Sequence, residues 1–188
     1  MPGYFRGSFI LVVQTNSLAS GVTAPYNIFY LLNPAASRRV FKVRHILFKY
    51  NGGDVAGTSA PGAATSMGTF ALYRATGISG GVDVSSAIAP LNRVLSDSTA
   101  TAARRTVSGD TAISATVGTL LRAGNMQTVG WMGSMDMFEE IRSRNDRDFV
   151  RLDEGHGILL RIENQLLLGT THWIATLEWE EWMKWSED

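Results

Sequence analysis

The sequence contains no cysteine, which excludes disulfide bonds, thiolate metal sites and cysteine nucleophiles together. A chain of 188 residues buries about 70% of its unfolded surface on folding and needs no disulfide support. A small, secreted, disulfide-stapled scaffold is therefore not indicated. The length is typical of one domain, and we predict that residues 1–188 form a single domain.

Long apolar runs are also missing. None approaches the roughly 18 residues that a membrane-spanning helix requires. The apolar run from Phe9 to Val13 is shorter than the core of a signal peptide and is followed by Gln14. We therefore expect an N-terminal strand in place of a signal peptide, and no membrane partner.

The chain carries no net charge, because 17 basic and 17 acidic side chains cancel. Proteins that bind nucleic acids usually have a basic excess that neutralises phosphates, so nucleic acid is not expected as a partner. The charge is nevertheless uneven: residues 1–100 carry 8 basic and 3 acidic residues, and residues 101–188 carry 9 basic and 14 acidic ones. Such a split can supply complementary surfaces between copies, and we expect dimers or trimers.

Alternating apolar and polar residues predict strands along most of the chain. The clearest is residues 171–179, in which one face carries an apolar set. That set is Trp173, Ala175, Leu177 and Trp179. Residues 39–50 also alternate, but both of their faces mix apolar and basic side chains. The other predicted strands are residues 4–13, 26–32, 69–75, 99–108, 113–121, 148–152 and 157–164.

One short helix is predicted at residues 83–97, where Asp83 can cap the first turn. Its apolar face would consist of Ile88, Leu91 and Leu95. Pro90 would kink this helix or split it into two short turns.

Glycine-rich segments predict the irregular parts of the chain. Residues 55–67 consist mainly of small residues with little apolar surface, so we expect a long loop there. Gly118 is expected to mark a bulge and Gly124 a turn.

About eight or nine strands, one short helix and no internal repeat predict an all-β fold, an antiparallel two-sheet sandwich of jelly-roll type. An immunoglobulin-like sandwich is the nearest alternative. The chain lacks the cysteine pair of that fold and is long for it.

No arrangement of residues predicts catalysis. The three histidines lack the spacing of a cupin-type metal site, and His156 is interpreted as a solvated turn residue. Asp136, Glu139 and Glu140 are close in sequence, whereas glycoside hydrolysis needs two carboxyls about 5–10 Å apart across a groove. We predict no enzymatic activity, no cofactor and no metal.

The candidate partner-contact residues are Trp182, Trp185, Arg38 and Arg39. The two tryptophans lie beyond the clean alternation, in an acidic segment, at a spacing that fits one helical turn. Exposed aromatic clusters mark contact surfaces. Packing against the molecule's own core and stacking on a sugar remain open alternatives for them.

The segment Arg151–Arg161 begins as a basic-apolar-x-Glu-Gly turn and continues as an apolar strand, and the segment from His172 to Glu181 ends in Trp-Glu-Glu. Over about 35 of the 188 residues, this pattern resembles the closing segment of small virion proteins of tailed bacteriophages. The resemblance implies a jelly-roll decoration or cement protein that sits on the virion head and ties subunits of the major capsid protein together.

We therefore predict a structural virion protein, made in the host cytoplasm and located on the head surface, that stabilises the assembled shell by binding it. The expected contact segments are residues 1–8, residues 180–188 and the loop at 55–67. The alternative is a carbohydrate- or receptor-binding head domain of a virion on the same scaffold, with surface aromatics around a groove.

Overall fold

The structure is a computed structural model that describes residues 6–19, 25–50, 67–92, 97–105, 112–127, 134–136, 150–163 and 170–184. Residues 1–5, Trp185 and almost all of the predicted loop 55–67 lie outside this part of the chain.

The described residues form twelve strands and a single-turn 3-10 helix, Ser85–Ala87. The strands are β1 (Arg6–Ala19), β2 (Tyr26–Leu32), β3 (Arg39–Tyr50), β4 (Met67–Ser79), β5 (Val82–Asp83), β6 (Ala89–Pro90), β7 (Thr101–Arg104), β8 (Ser114–Gln127), β9 (Ser134–Asp136), β10 (Val150–Leu152), β11 (His156–Ile162) and β12 (Thr170–Met183). They build two antiparallel sheets that pack together, so the predicted all-β two-sheet sandwich is confirmed.

The order of strands has a simple rule. Sheet A runs β10-β3-β12-β1-β6, with β9 also pairing with β3, and sheet B runs β5-β7-β2-β11-β4-β8. The first four strands pair with later strands in reverse order: β1 with β12, β2 with β11, β3 with β10 and β9, and β4 with β8. From β1 to β4, and again from β10 to β12, each connection passes from one sheet to the other.

Large aromatic side chains fill the space between the sheets. The predicted inward face of the last strand is confirmed, and Trp173 and Trp179 are both fully buried. The ring of Trp173 stacks on Phe48 at 4.9 Å between centroids and lies 4.6 Å from Phe70 of sheet B. Burial of such a side chain contributes about 1.5–3 kcal/mol, so this contact couples the two sheets.

A bulge in β3 explains why its two faces look mixed in the sequence. One extra residue, Arg44, lies opposite the step from Glu178 to Trp179 in β12. Such a bulge reverses the alternation of side chains beyond it. The apolar residues before and after it therefore all face the core: Phe41, Val43, Ile46 and Phe48. Lys42 and Arg44 remain on the outer face.

The predicted helix at residues 83–97 is wrong. The described part of this segment contains the end of β5, the turn Ser85–Ala87 and β6. The Val84 N–H donates to the Ala102 carbonyl at 2.9 Å, and the Ser85 hydroxyl accepts from the Ala102 N–H at 2.9 Å. The segment is therefore pinned to β7, and Pro90 has no N–H with which a helix could continue.

Of the two predictions made for glycines of β8, one is confirmed and the other is wrong. Residues 118–119 together lie opposite Arg74 of β4, so the predicted bulge at Gly118 is confirmed. The predicted turn at Gly124 is wrong, because Gly124 pairs with Phe70 inside the strand.

A second apolar cluster covers the outer face of sheet B. It includes Ile78, near the end of β4, and Ile113, just before β8. The sheet residues beneath them are Tyr30, Ala75, Ala103 and Leu159. At Gly157 a Cβ would lie 2.6 Å from the Cδ1 of Ile78 and 2.6 Å from the carbonyl oxygen of Leu31. Only glycine allows this close approach.

Replacement of Gly157 with alanine is expected to destabilise the protein by about 2–3 kcal/mol, because the new methyl group meets backbone that cannot move away. The free energy of unfolding in urea measures the effect. Gly155→Ala is the matched control. Its φ of 75° is strained for alanine, but no atom of the described residues lies within 4 Å of the added Cβ, so the change should cost about 1 kcal/mol. Equal losses for the two variants would contradict the proposed packing of Ile78.

Candidate functional site

Trp182 lies on the outer face of sheet A near one end of the sheet. β12 continues to Met183, so the helical turn suggested by the spacing of Trp182 and Trp185 is wrong for the described Trp182. In the sheet, Trp182 is paired with Arg6 of β1 on one side and with Val40 of β3 on the other. Trp182 is partly exposed, and Trp185 lies outside the described residues.

The predicted contact pair Arg38 and Arg39 lies at the same end of the sheet. The N–H of Lys184 donates to the Arg38 carbonyl at 2.9 Å, and Met183 pairs with Arg39. Arg38 is exposed and has a φ of 54°, in the left-handed region. Sequence reasoning therefore chose residues that the fold brings together.

Arg39, however, is used inside the molecule. Its Nη1 lies 2.6 Å from the Oε2 of Glu181, which is fully buried at 0% exposure. The same carboxylate accepts hydrogen bonds from the Trp179 indole N–H at 3.0 Å, from the Ser98 hydroxyl, and from the N–H and hydroxyl of Thr99 at 3.2 Å each. Glu181 thus fastens the segment before β7 to the end of sheet A, although it lies inside the predicted contact segment 180–188.

Four other residues lie around Trp182, and we call the five together the basic corner. The four are Arg6, Lys42, Arg44 and Glu180. The Nζ of Lys42 lies 4.0 Å from the centre of the Trp182 ring, and the guanidinium carbon of Arg6 lies 5.6 Å from it. A cation over an indole face is attracted by about 0.5–1 kcal/mol at exposed sites. The ring is thereby held between side chains from the two neighbouring strands.

Glu180 organises the cations of the basic corner. Its carboxylate lies 3.1 Å from Arg44 Nη2 and 3.6 Å from Arg6 Nη2, and it accepts a 3.0 Å hydrogen bond from the Trp182 indole. Burial alone would raise the pKa of Glu180. The hydrogen bonds from Arg44 and Trp182 and the charges of Arg44 and Arg6 outweigh burial, so the pKa lies below its ordinary value of 4.5. Among the described residues, the corner as defined contains three cations and one carboxylate.

Four apolar side chains lie on the same outer face beyond the basic corner, beside polar residues such as Glu178 and Thr176. The register places Ile10 and Val12 of β1, Leu47 of β3 and Ile174 of β12 on it. Val12 is 56% exposed, the largest exposure of any large hydrophobic residue in the described chain. A basic aromatic corner beside an apolar strip is suited to contact with another macromolecule.

Arg6 and Glu180 lie inside the predicted contact segments 1–8 and 180–188, whereas Lys42 and Arg44 were not predicted as members of this surface. The common signal of these four residues is their position on the outward face of three strands. That signal becomes readable only when the neighbours of β12 and the bulge at Arg44 are known.

Comparison of the chain with protein-family models, with curated proteins and with solved structures gives no match. Among the described residues, no group of three His, Asp or Glu side chains is placed to hold a metal ion. In the same part of the chain, no helix is long and apolar enough to cross a bilayer.

Glu181→Gln is expected to destabilise the protein by about 3 kcal/mol, because it leaves the Arg39 guanidinium beside a neutral group at a site with little water. Urea unfolding measures the loss. Glu178→Gln, on the outer face of the same strand, is the control and should stay within about 0.5 kcal/mol of the native protein. A loss at Glu181 no larger than that of the control would contradict the role given to its carboxylate.

The lowered pKa of Glu180 predicts an acid-dependent contribution to stability. A depressed carboxyl pKa stabilises the fold above the unfolded value near pH 4.5, and this contribution is lost as the pH falls through the folded pKa. The native protein should therefore exceed Glu180→Gln in unfolding free energy by a constant amount at neutral pH and by a shrinking amount in acid. A difference that stays constant throughout the acid range would argue against the ion pairs.

Proposed function

We propose that this chain is a structural virion protein, a decoration or cement protein that binds the assembled shell of the major capsid protein through the outer face of sheet A. The observation that carries the proposal is the basic corner, where Trp182 is held between Lys42 and Arg6 at 4.0 and 5.6 Å. Tryptophan and arginine are the residue types most enriched among those that dominate binding energy at protein interfaces.

The fold that we assign to this role is a jelly roll. Its support is the reverse pairing of β1 to β4 with the later strands. A chain paired in this way resembles one long hairpin that has been rolled so that successive strands fall into alternate sheets. Double-sheet jelly rolls with two Greek keys are used in viral capsid domains.

The charged residues of the basic corner indicate which kind of surface on the capsid shell would complement it. The corner presents the side chains of Arg6, Lys42 and Arg44, so we expect an acidic patch on the shell to face it, and the neighbouring apolar residues add contact area. Because the tryptophan is already held by its neighbours, little side-chain freedom is lost on binding. Each bound copy stabilises the shell by mass action, about 2.7 kcal/mol when free protein is at 100 times its dissociation constant.

The alternative, a carbohydrate-binding head that stacks a sugar on Trp182, has less support. Stacking needs an accessible ring face, and the ammonium of Lys42 lies over this ring at 4.0 Å. The structure therefore favours a protein contact for this tryptophan over a sugar platform. Self-association and contacts by residues 1–8, 55–67 and 180–188 remain part of the proposal.

Trp182→Ala should weaken binding to the shell roughly 30-fold, the effect of losing about 2 kcal/mol at a binding hot spot. Co-sedimentation measures the binding. The shells consist of the major capsid protein of the virus that encodes this chain, and they are assembled in the absence of the chain before the purified protein is added. Leu120→Ala is the matched control, because Leu120 is an exposed apolar residue on sheet B.

Native protein that stays in the supernatant would refute the shell-binding role. Binding that both variants weaken equally would refute the assignment of the contact to sheet A. Unfolding curves of both variants establish that each is folded under the assay conditions.

A further inference from the structure

An open groove of about 280 Å³ lies on sheet B, away from the basic corner. Strands β4, β8 and β11 form it. It is lined mainly by five polar side chains with Gly118 and Ala75: Arg74, Thr76, Thr116, Thr119 and His156. Its volume is slightly below the usual range of ligand sites, which is about 300–1,000 Å³.

The groove arises where the inner face of sheet B changes from apolar to polar. On β4, buried Leu72 is followed on the same face by Arg74 and Thr76. On β11, buried Ile158 shares its face with His156, and His156 pairs directly with Thr76. The same alternation that builds the core therefore directs a guanidinium, an imidazole and a hydroxyl into one cleft.

The bulge at Gly118 completes the groove. Strict alternation would place Thr116 and Thr119 on opposite faces of β8, because they are three residues apart. The extra residue opposite Arg74 brings both hydroxyls to the groove side. Gly118 also permits close approach, since a Cβ there would lie 3.0 Å from the carbonyl oxygen of Arg74.

The polar side chains that line the groove can still form hydrogen bonds with a ligand. Within the described part of the chain, Arg74 and the three threonine side chains have no hydrogen-bond or ion-pair partner. Among the described residues, the one hydrogen-bond partner of the His156 imidazole is the Glu154 carbonyl, 3.1 Å from Nδ1, which leaves Nε2 available.

The carboxylates of the neighbouring turn are neutralised by other residues. Asp153 is paired with Arg151 at 2.9 Å, and Glu154 with Lys184 at 3.3 Å. Among the described residues, no carboxylate lines the groove itself. Arg74 is consequently a fixed positive charge with hydroxyl groups around it and no internal counter-charge among the described residues.

We propose that this groove binds a small acidic sugar, whose carboxylate pairs with Arg74 and whose hydroxyls bind the threonines and His156. Arg74 can hold a carboxylate through two parallel hydrogen bonds, which fixes the orientation of the ligand. One sugar ring matches the small volume and the hydroxyl lining. This site lies on the other sheet and does not depend on the shell-binding role.

The test is an NMR titration of the native protein with glucuronic acid and, separately, with glucose, which has a CH₂OH group where glucuronic acid has its carboxylate. Glucuronate should shift the amide signals of Arg74, Thr76, Thr116, Thr119 and His156, and glucose should leave them in place. Arg74→Gln should weaken glucuronate binding about tenfold, the usual effect of losing a charge-assisted hydrogen bond.

Arg44→Gln is the matched control, because it removes the same charge from the basic corner on sheet A. Arg44→Gln should leave glucuronate binding unchanged and weaken shell binding. Arg74→Gln should weaken glucuronate binding and leave shell binding unchanged. The failure of one site is thereby distinguishable from the failure of the other.

Three results would overturn the acidic-sugar site. They are no shift of the groove amides with glucuronate, equal shifts with glucose and glucuronate, and equal weakening by Arg74→Gln and Arg44→Gln. A further NMR titration uses sodium sulfate. If sulfate shifts the groove amides and glucuronate does not, the groove is a simple anion site and the proposal is wrong.

Discussion

The burial of one face of β12 is the constraint on which the rest of the molecule depends. Its inward tryptophans reach across to sheet B, where Trp173 lies 4.6 Å from Phe70, and they fix which residues of β12 face outward. A shift of one residue would exchange the two faces and bury Glu178 in place of Trp179. Because the core forbids this exchange, Glu180 and Trp182 are held on the outer face of sheet A between β1 and β3.

Much of this fold could be predicted from the sequence, because alternation is a strong signal wherever one face of a strand is buried. The bounds of β2 and β3 agree with the residues predicted for them. The helix at residues 83–97 failed because capping and spacing are local signals, whereas the backbone there bonds to β7, which is distant in sequence. The neighbours of each strand and the bulge at Arg44 could not be predicted, since both are properties of strand pairing, whereas Gly118 did indicate the bulge in β8.

The same limit explains which site residues were found. Arg38 and Trp182 stood out by residue type, but Arg39 has the same appearance in the sequence and is turned toward buried Glu181. Arg6, Lys42 and Arg44 come from two strands that are far from Trp182 in sequence, and only the register of sheet A places them around it. The groove residues were missed for the same reason, and His156 appeared as an ordinary turn residue.

Both candidate surfaces lie beside bulges, and this shared position has a physical reason. A regular strand gives a sheet one apolar and one polar face, and an extra residue changes which side chains share a face. The extra residue at Arg44 keeps β3 in the core while turning its cations toward Glu180. The extra residue in β8 brings Thr116 and Thr119 to the side of Arg74. Each bulge disrupts the regular strand pairing locally. The burial of aromatic side chains between the sheets stabilises the fold enough to offset this loss.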